Sequence, residues 1–428
     1  MAPRRKSSPA LEQLKAGQVP TDDEILREIS VARNSWMDFV LESYFKGFIL
    51  LGGSKVKFLV GKEGVGKTHT LRLVGSLSSD IGYLPVYLDA REIRLQRIDF
   101  LYKEIVNRLD IPSIVFAYCK QLGQKITGKK ALECQNSELL RKFLISELGS
   151  PDALTGRIKK ELAELLSNRK IHRYFGVAMM HLAQDALGLK GLAVDKREIF
   201  YSWLKGDPVP APALRQFQVF TKLDRYNGRN MLRSLFAFIR MAGYAGTLVC
   251  IDCLENLVNE DPDIQRAIYS RIARDDAYEM IRQLIDEIEE FESVIFLFAA
   301  RPELFTHSTR GVKTYYALWM RIQEEVVLRR FNKFADTVKL DNIFDPPSPD
   351  SPEEILIRAI FGDQSVGGNN SLTSEEEYAV TQLGELSSRV ASIGELKPLS
   401  EREVTELLRT KGRISPVKRV ILETIGDR

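Results

Sequence analysis

The chain has 428 residues, of which 44% are hydrophobic and 28% are charged, a composition typical of a globular protein with two or three domains. The formal net charge is only +3, so any basic surface that binds a nucleic acid must be local. Arg169, Lys170 and Arg173 form one basic cluster, which either contributes to such a surface or is simply exposed to solvent. Four cysteines do not suggest a disulfide framework, and no apolar run approaches the ~20 residues of a membrane span, so we expect a cytoplasmic protein without a membrane partner.

The first 50 residues are predicted to form a helical leader. Thr21 and Glu24 have the spacing of a capping box, in which the first side chain caps free N–H groups and the second reaches back. The apolar spacing that follows predicts a helix up to about Gly47.

The next segment alternates between strand and helix patterns. Residues 56–60 and 85–88 are short apolar runs, whereas residues 67–78 and 98–109 have helical spacing. This order predicts a parallel α/β sheet, whose first part covers residues 51–111.

The remainder divides into three predicted regions. Residues 112–236 have mainly helical patterns and are interpreted as a helical insertion. Strand patterns return at residues 247–251 and 293–299, so residues 237–340 are predicted to complete the sheet. Residues 341–428 are predicted to form a C-terminal helical lid domain.

A glycine-rich loop follows the first strand. Residues 61–68 match the pattern G-x-x-x-x-G-K-[ST], in which backbone N–H groups surround phosphates, Lys67 reaches the β- and γ-phosphates and Thr68 binds magnesium. The predicted nucleotide contacts are Gly61, Glu63, Gly64, Val65, Gly66, Lys67, Thr68 and His69, the last of which is also explained by packing alone. The predicted cofactors are ATP and Mg²⁺; the absence of an N-K-x-D signature favours ATP over GTP.

A second acid is needed to hold the magnesium ion. Asp252 follows the apolar run at residues 248–251 and is the candidate, with a turn cap as the alternative. ATPases of the AAA+ type commonly carry Glu directly after this Asp, but Cys253 stands here, and Glu255 is the nearest carboxylate that could position water. We therefore expect either that Glu255 supports the hydrolysis of ATP or that hydrolysis is slow or absent.

Several basic residues are candidates for phosphate contacts. Arg301 follows the strand pattern at residues 293–299 and is predicted to sense the γ-phosphate, with a structural salt bridge as the alternative. Arg310 and Arg321 are candidate arginine fingers for a neighbouring subunit, which would require a homo-oligomer. Near the C-terminus, three candidates for a lid contact flank a predicted helix start at Ser415 and Pro416: Arg413, Lys418 and Arg419.

Two further segments resemble a known family. Met-Ala-Gly-Tyr-Ala-Gly at residues 241–246 precedes Asp252, and Ala-Arg-Pro-Glu-Leu-Phe at residues 300–305 precedes Arg310-Gly311. Together they resemble the ATP-binding proteins of BREX (bacteriophage exclusion) loci, which are similar to AAA+ ATPases of the origin-recognition and STAND kind. The resemblance implies antiphage defence together with a helicase or other defence proteins, on double-stranded DNA. Cys253 departs from the family's Asp-Glu pair, and Val417 from its Pro-Arg.

Three functions are consistent with these patterns. The first is an AAA+-like ATPase that couples ATP to assembly on DNA. The second is a nucleotide-gated scaffold that scarcely hydrolyses ATP, which Cys253 favours. A P-loop small-molecule kinase is the third, and the absence of an obvious substrate-binding acid cluster argues against it.

Overall fold

The computed structural model describes residues 9–31, 34–128, 131–189, 191–263, 265–327, 335–342, 374–410 and 414–426. Arg413 and most of the segment that joins the sheet to the C-terminal helices lie outside these ranges. Within them, no helix is both long and apolar enough to cross a membrane.

The described residues form seven strands: β1 (Ser54–Val60), β2 (Tyr83–Asp89), β3 (Gly246–Asp252), β4 (Glu260–Asp261), β5 (Arg266–Ala267), β6 (Val294–Ala300) and β7 (Thr337–Lys339). Five of them build one parallel sheet in the order β2-β3-β6-β1-β7, and β4 and β5 form a small antiparallel pair. Since all five strands run the same way, their carboxyl ends share one edge, where ligands bind in open α/β sheets. This arrangement confirms the predicted α/β, P-loop NTPase-like fold.

Eighteen α-helices lie in the described residues: α1 (Pro9–Lys15), α2 (Asp23–Glu28), α3 (Asn34–Phe39), α4 (Lys67–Asp80), α5 (Ile98–Asn107), α6 (Ile111–Thr127), α7 (Ser137–Leu148), α8 (Pro151–Ser167), α9 (Arg173–Ala186), α10 (Val194–Leu204), α11 (Ala211–Arg215), α12 (Gly228–Met241), α13 (Arg271–Asp286), α14 (Glu303–Thr306), α15 (Tyr316–Val327), α16 (Ser374–Gly394), α17 (Glu401–Arg409) and α18 (Pro416–Ile425). A π-helical segment spans Val40–Ile49. Helices α6 to α12 lie between β2 and β3 in the chain, where the sequence predicts a helical insertion; the exact domain boundaries stay predictions.

Helices cover both faces of the sheet, which explains why its strands are almost continuously apolar. Every residue of β6 is buried. Its alternate side chains point to opposite faces: Phe296 meets Phe236 of α12 in an edge-to-face ring contact at 5.9 Å, whereas Ile295 and Leu297 pack in the cluster that contains Leu71 of α4. The sheet is thereby fixed against the helix that follows the glycine-rich loop.

The N-terminal region differs from the prediction. Asp22, and not Thr21, caps α2, since its carboxylate accepts hydrogen bonds from the N–H groups of Glu24 and Ile25. The helix ends at Glu28 and does not continue to Gly47. The predicted capping box fails because the neighbouring Asp competes for the same N–H groups with a full negative charge.

Candidate nucleotide-binding site

The glycine-rich loop joins β1 to α4 at the carboxyl edge of the sheet. Gly64 and Gly66 adopt left-handed backbone conformations, with φ of 76° and 92°, which side chains rarely tolerate. Gly66 also caps α4, which begins at Lys67. The first N–H groups of this helix, together with the positive end of its dipole, therefore face the loop, as an anion site requires.

Lys67 is folded against this loop. Its Nζ donates to the carbonyl oxygens of Gly61 at 2.8 Å and Lys62 at 3.0 Å. Burial lowers the pKa of the ammonium group, although the nearby carboxylates of Glu255 and Asp252 oppose this effect. The positively charged Lys67 ammonium group thus lies at the centre of the loop, where it donates hydrogen bonds to neutral carbonyl oxygens.

Thr68 and Asp252 lie together next to the loop. The Thr68 hydroxyl donates to the Asp252 carboxylate at 2.5 Å, and the other carboxylate oxygen accepts from the backbone N–H of Cys253 at 2.8 Å. Burial raises the pKa of Asp252, and the hydrogen bonds from Thr68 and Cys253 oppose this effect only in part. Such a hydroxyl–carboxylate pair offers the oxygen ligands that Mg²⁺ prefers.

Cys253 is neutral and held in an unusual conformation. Its φ of 57° lies in the left-handed region, and its side chain is half-buried. Burial, reinforced by the charge of Asp252, raises the pKa of the thiol to about 12. At neutral pH the group therefore stays protonated and is a poor base.

Glu255 and Arg301 form a pair across two adjacent strand ends. Glu255 is buried in a 3₁₀ turn (Leu254–Leu257) after β3, whereas Arg301 directly follows β6. The carboxylate accepts from Arg301 Nε at 2.8 Å and from the Arg301 backbone N–H at 3.0 Å. Both predicted residues thus reach the site, and the guanidinium currently serves as the salt-bridge partner of Glu255.

Two further carboxylates lie at this edge that sequence reasoning missed. Asp89 ends β2 directly opposite Asp252 and is paired with Arg91 at 2.5 Å. Asp341 accepts from the backbone N–H of Lys62 at 3.1 Å. An acid at the end of the apolar run 85–88 was a usable signal for Asp89, but Asp341 follows a three-residue strand that leaves almost no pattern.

The start of α18 rests directly on the glycine-rich loop. Ser415 donates its backbone N–H to Glu63 O at 3.1 Å and its hydroxyl to Gly64 O at 3.2 Å. Lys418 Nζ lies 3.3 Å from the Glu63 carboxylate. An added Cβ at Gly64 would come within 2.6 Å of Lys418 Cβ, so the close approach of this helix requires glycine in the loop.

Most of these groups line one cleft of about 1110 Å³, whereas Asp341, Ser415 and the predicted contacts Gly61 and Val65 do not. Its walls come from the loop, the carboxyl ends of β2, β3 and β6, the start of α18 and the N-terminal residues 17–20. The volume suits a ligand the size of a nucleoside triphosphate. The apolar Leu26 and Ile29 on the N-terminal side give it one non-polar wall.

The other candidates lie elsewhere. Arg321 pairs with Asp286 at 2.6 Å, and Arg310 donates to the Tyr269 carbonyl at 2.5 Å; neither lines the cleft. Arg419 donates to the Thr410 carbonyl. His69 does line the cleft, and its Nε2 lies 2.6 Å from the Ser30 hydroxyl, a contact that joins α4 to the N-terminal segment.

Residues 2–345 match the family model described as BREX system ATP-binding protein BrxC/D. A comparison with curated proteins gives no match.

Proposed function

This chain belongs to the BREX ATP-binding protein family, which confirms the resemblance found in the sequence and implies ATP binding in phage defence, and from that premise we propose that it is a Mg²⁺-dependent ATPase that couples nucleotide to assembly with other defence proteins on double-stranded DNA. The observation that supports this proposal best is the convergence of Lys67, Thr68, Asp252, Glu255 and Arg301 at one edge of the sheet.

Each side chain has a distinct task in this proposal. The N–H groups of the loop and Lys67 bind the phosphates, while Thr68 and Asp252 hold the magnesium ion. The bound ion supplies charge neutralisation of the phosphates. The short Thr68–Asp252 hydrogen bond at 2.5 Å keeps both oxygens side by side for a shared cation.

Glu255 is the group that we propose to activate water. Cys253 does not serve, because its thiol stays protonated. The Glu255 carboxylate carries the charge that a base requires, but both of its oxygens accept hydrogen bonds from Arg301 in the described conformation. We infer that turnover requires Arg301 to turn from Glu255 towards the γ-phosphate, which frees one carboxylate oxygen for water.

A nucleotide-gated scaffold is the second candidate function. The same Glu255–Arg301 pair supports it, because a protein in which the Glu255 carboxylate stays bound to the Arg301 guanidinium would bind ATP without hydrolysing it. The position of α18 on the loop gives such a switch a way to act on the C-terminal helices. The first residues of α18 contact Glu63 and Gly64, so a change in the loop on phosphate binding would move or release this helix.

Phosphate release from ATP, with and without double-stranded DNA, tests the proposal. We expect turnover that depends on Mg²⁺ and rises with DNA. Measurable ATP binding without turnover in either condition would replace the ATPase by the scaffold. A cytoplasmic location and a homo-oligomer, in which Arg321 of one subunit acts on the next, stay predictions of the same proposal.

A further inference from the structure

The helical insertion carries two aromatic side chains that are largely exposed to solvent. Phe220 is 62% exposed and Tyr226 is 77% exposed. Both lie in the loop between α11 and α12, and neither lines the cleft. Single exposed aromatic residues are ordinary, but two on one short loop mark a potential contact surface.

This loop is well anchored. Trp203 Nε1 donates to the Thr221 carbonyl at 2.7 Å, and Asn227 Nδ2 donates to the Lys222 carbonyl at 2.7 Å. The Asp224 carboxylate accepts from the N–H of Tyr226 at 2.8 Å. The backbone that carries the two exposed aromatic side chains is therefore held in place by hydrogen bonds. Binding of a ligand would not have to offset the entropy cost of ordering the loop.

A second segment joins the loop from the start of α9. The rings of Tyr174 and Phe220 meet edge to face at 6.1 Å, and those of His172 and Tyr174 at 5.6 Å. The His172 backbone N–H donates to the Ser234 hydroxyl at 2.7 Å, which fixes this segment on α12. The contact brings Arg173, which directly precedes Tyr174 and ends the basic cluster of residues 169–173, close to Phe220.

The combined area is basic although the whole chain is almost neutral. Its exposed basic side chains are Arg169, Lys170, Arg173, Arg215, Lys222 and Arg225. Two carboxylates lie close by: Asp224 is occupied by backbone N–H groups, and Glu292 pairs with Lys170 at 3.0 Å. The local excess of positive charge complements a phosphate backbone.

Arg225 adds a flat surface to one of the aromatic rings. Its guanidinium lies 4.7 Å from the centre of the Tyr226 ring, and its Nη2 donates to the Tyr226 hydroxyl. Stacked guanidinium and aromatic planes are suited to unpaired nucleobases, which stack on such groups irrespective of sequence. Bases within a duplex do not present their faces in this way.

We propose that this insertion surface, made of Arg169, Arg173, Phe220, Lys222, Arg225 and Tyr226, binds DNA with unpaired bases. The basic side chains bind phosphates, and Phe220 and Tyr226 stack on bases. The inference rests on the DNA coupling proposed above and refines it in two ways. It assigns the DNA to a surface separate from the nucleotide cleft, and it adds to the duplex of that proposal a preference for unpaired bases.

Fluorescence anisotropy with a labelled thymidine 30-mer and with a duplex of equal length tests this assignment. The double variant Phe220→Ser/Tyr226→Ser is expected to bind the single strand at least about tenfold more weakly, with a smaller change for the duplex. Arg173→Glu/Arg225→Glu should weaken both and lower the salt dependence by about one to two phosphate contacts. Lys397→Glu/Arg402→Glu is the matched control, since it changes the charge equally on exposed C-terminal residues and is expected to have no effect on the 30-mer.

The outcomes separate the surface from the proposed function. All variants must keep wild-type ATP affinity, which shows that they are folded; if either double variant does not, the single variants Tyr226→Ser and Arg173→Glu replace it. Wild-type affinity for the 30-mer in both surface variants overturns the assignment but leaves DNA coupling intact. Equal losses for duplex and single strand in the aromatic variant overturn the stacking role. A wild-type protein that binds neither DNA overturns both the assignment and the DNA coupling.

Discussion

Replacing Glu255 with Gln tests whether the buried carboxylate beside Arg301 activates water. The amide has the same size and can still accept from Arg301 Nε, but its NH₂ group cannot accept from the Arg301 backbone N–H that now donates at 3.0 Å. The charge of the base is lost altogether. Because a general base contributes about 10²- to 10⁴-fold to a rate, phosphate release at saturating ATP should fall by that factor.

The same variant has a calculable effect on stability. A hydrogen bond between charged groups contributes about 1.5–3 kcal/mol. The Arg301 side chain is 35% exposed, so solvent screening reduces the loss in the free energy of unfolding to about 1–2 kcal/mol. Urea unfolding measures this loss, and ATP affinity measured in parallel should change by less than about threefold, since the phosphate contacts remain.

Glu303→Gln is the matched control for this variant. Glu303 is exposed at the start of α14, and its charge acts on Arg301 only through space. We expect its phosphate release to equal that of the wild type. If Glu255→Gln retained wild-type turnover, Glu255 would not be the group that activates water, and the proposed role of its release from Arg301 would fail.

Three further predictions follow from the structure. Cys253→Glu should change phosphate release by less than about threefold if Glu255 already activates water; a gain of tenfold or more would support the scaffold instead. Ser415→Ala removes the hydroxyl that caps α18 and contacts Gly64, so the amides of α18 should exchange about fivefold faster, for a loss of about 1 kcal/mol; unchanged exchange would contradict this contact. Hydrogen bonding by Arg282 lowers the pKa of Glu279 to about 2. Near pH 7, Glu279→Gln should therefore lower the free energy of unfolding by about 1 kcal/mol after allowance for screening. Urea unfolding should show this deficit disappear between pH 4.5 and pH 2, because the wild-type carboxylate becomes protonated there. A deficit that persisted at pH 2 would contradict this pairing.

The strands that carry the site could be predicted because each is a local apolar run. The runs before Gly61 and Asp252 gave β1 and β3 to within two residues at either end, since buried parallel strands need little beyond continuous hydrophobicity. In contrast, β7 has only three residues and is recognisable only through its pairing with Phe58 to Val60. Asp341, which follows it, was missed for the same reason.

The contacts between site residues were less predictable than their identities. Glu255 and Arg301 are 46 positions apart, and only the adjacency of β3 and β6 in the sheet brings them together. The sequence left the role of Arg301 open between a phosphate sensor and a salt bridge; the described conformation has the salt bridge. The approach of α18 to Gly64 likewise depends on tertiary packing that periodicity does not encode.

Equilibrium binding of a fluorescent ATP analogue with Mg²⁺ to the wild type and to Lys67→Ala tests the central claim most directly. The Lys67 ammonium lies within the loop, and hydrogen bonds from a charged group contribute about 1.5–3 kcal/mol, so the Kd should rise about 10- to 150-fold. Lys62→Ala, an exposed lysine of the same loop, should retain the wild-type Kd. An unchanged Kd in Lys67→Ala would contradict the assignment of this loop as the ATP site.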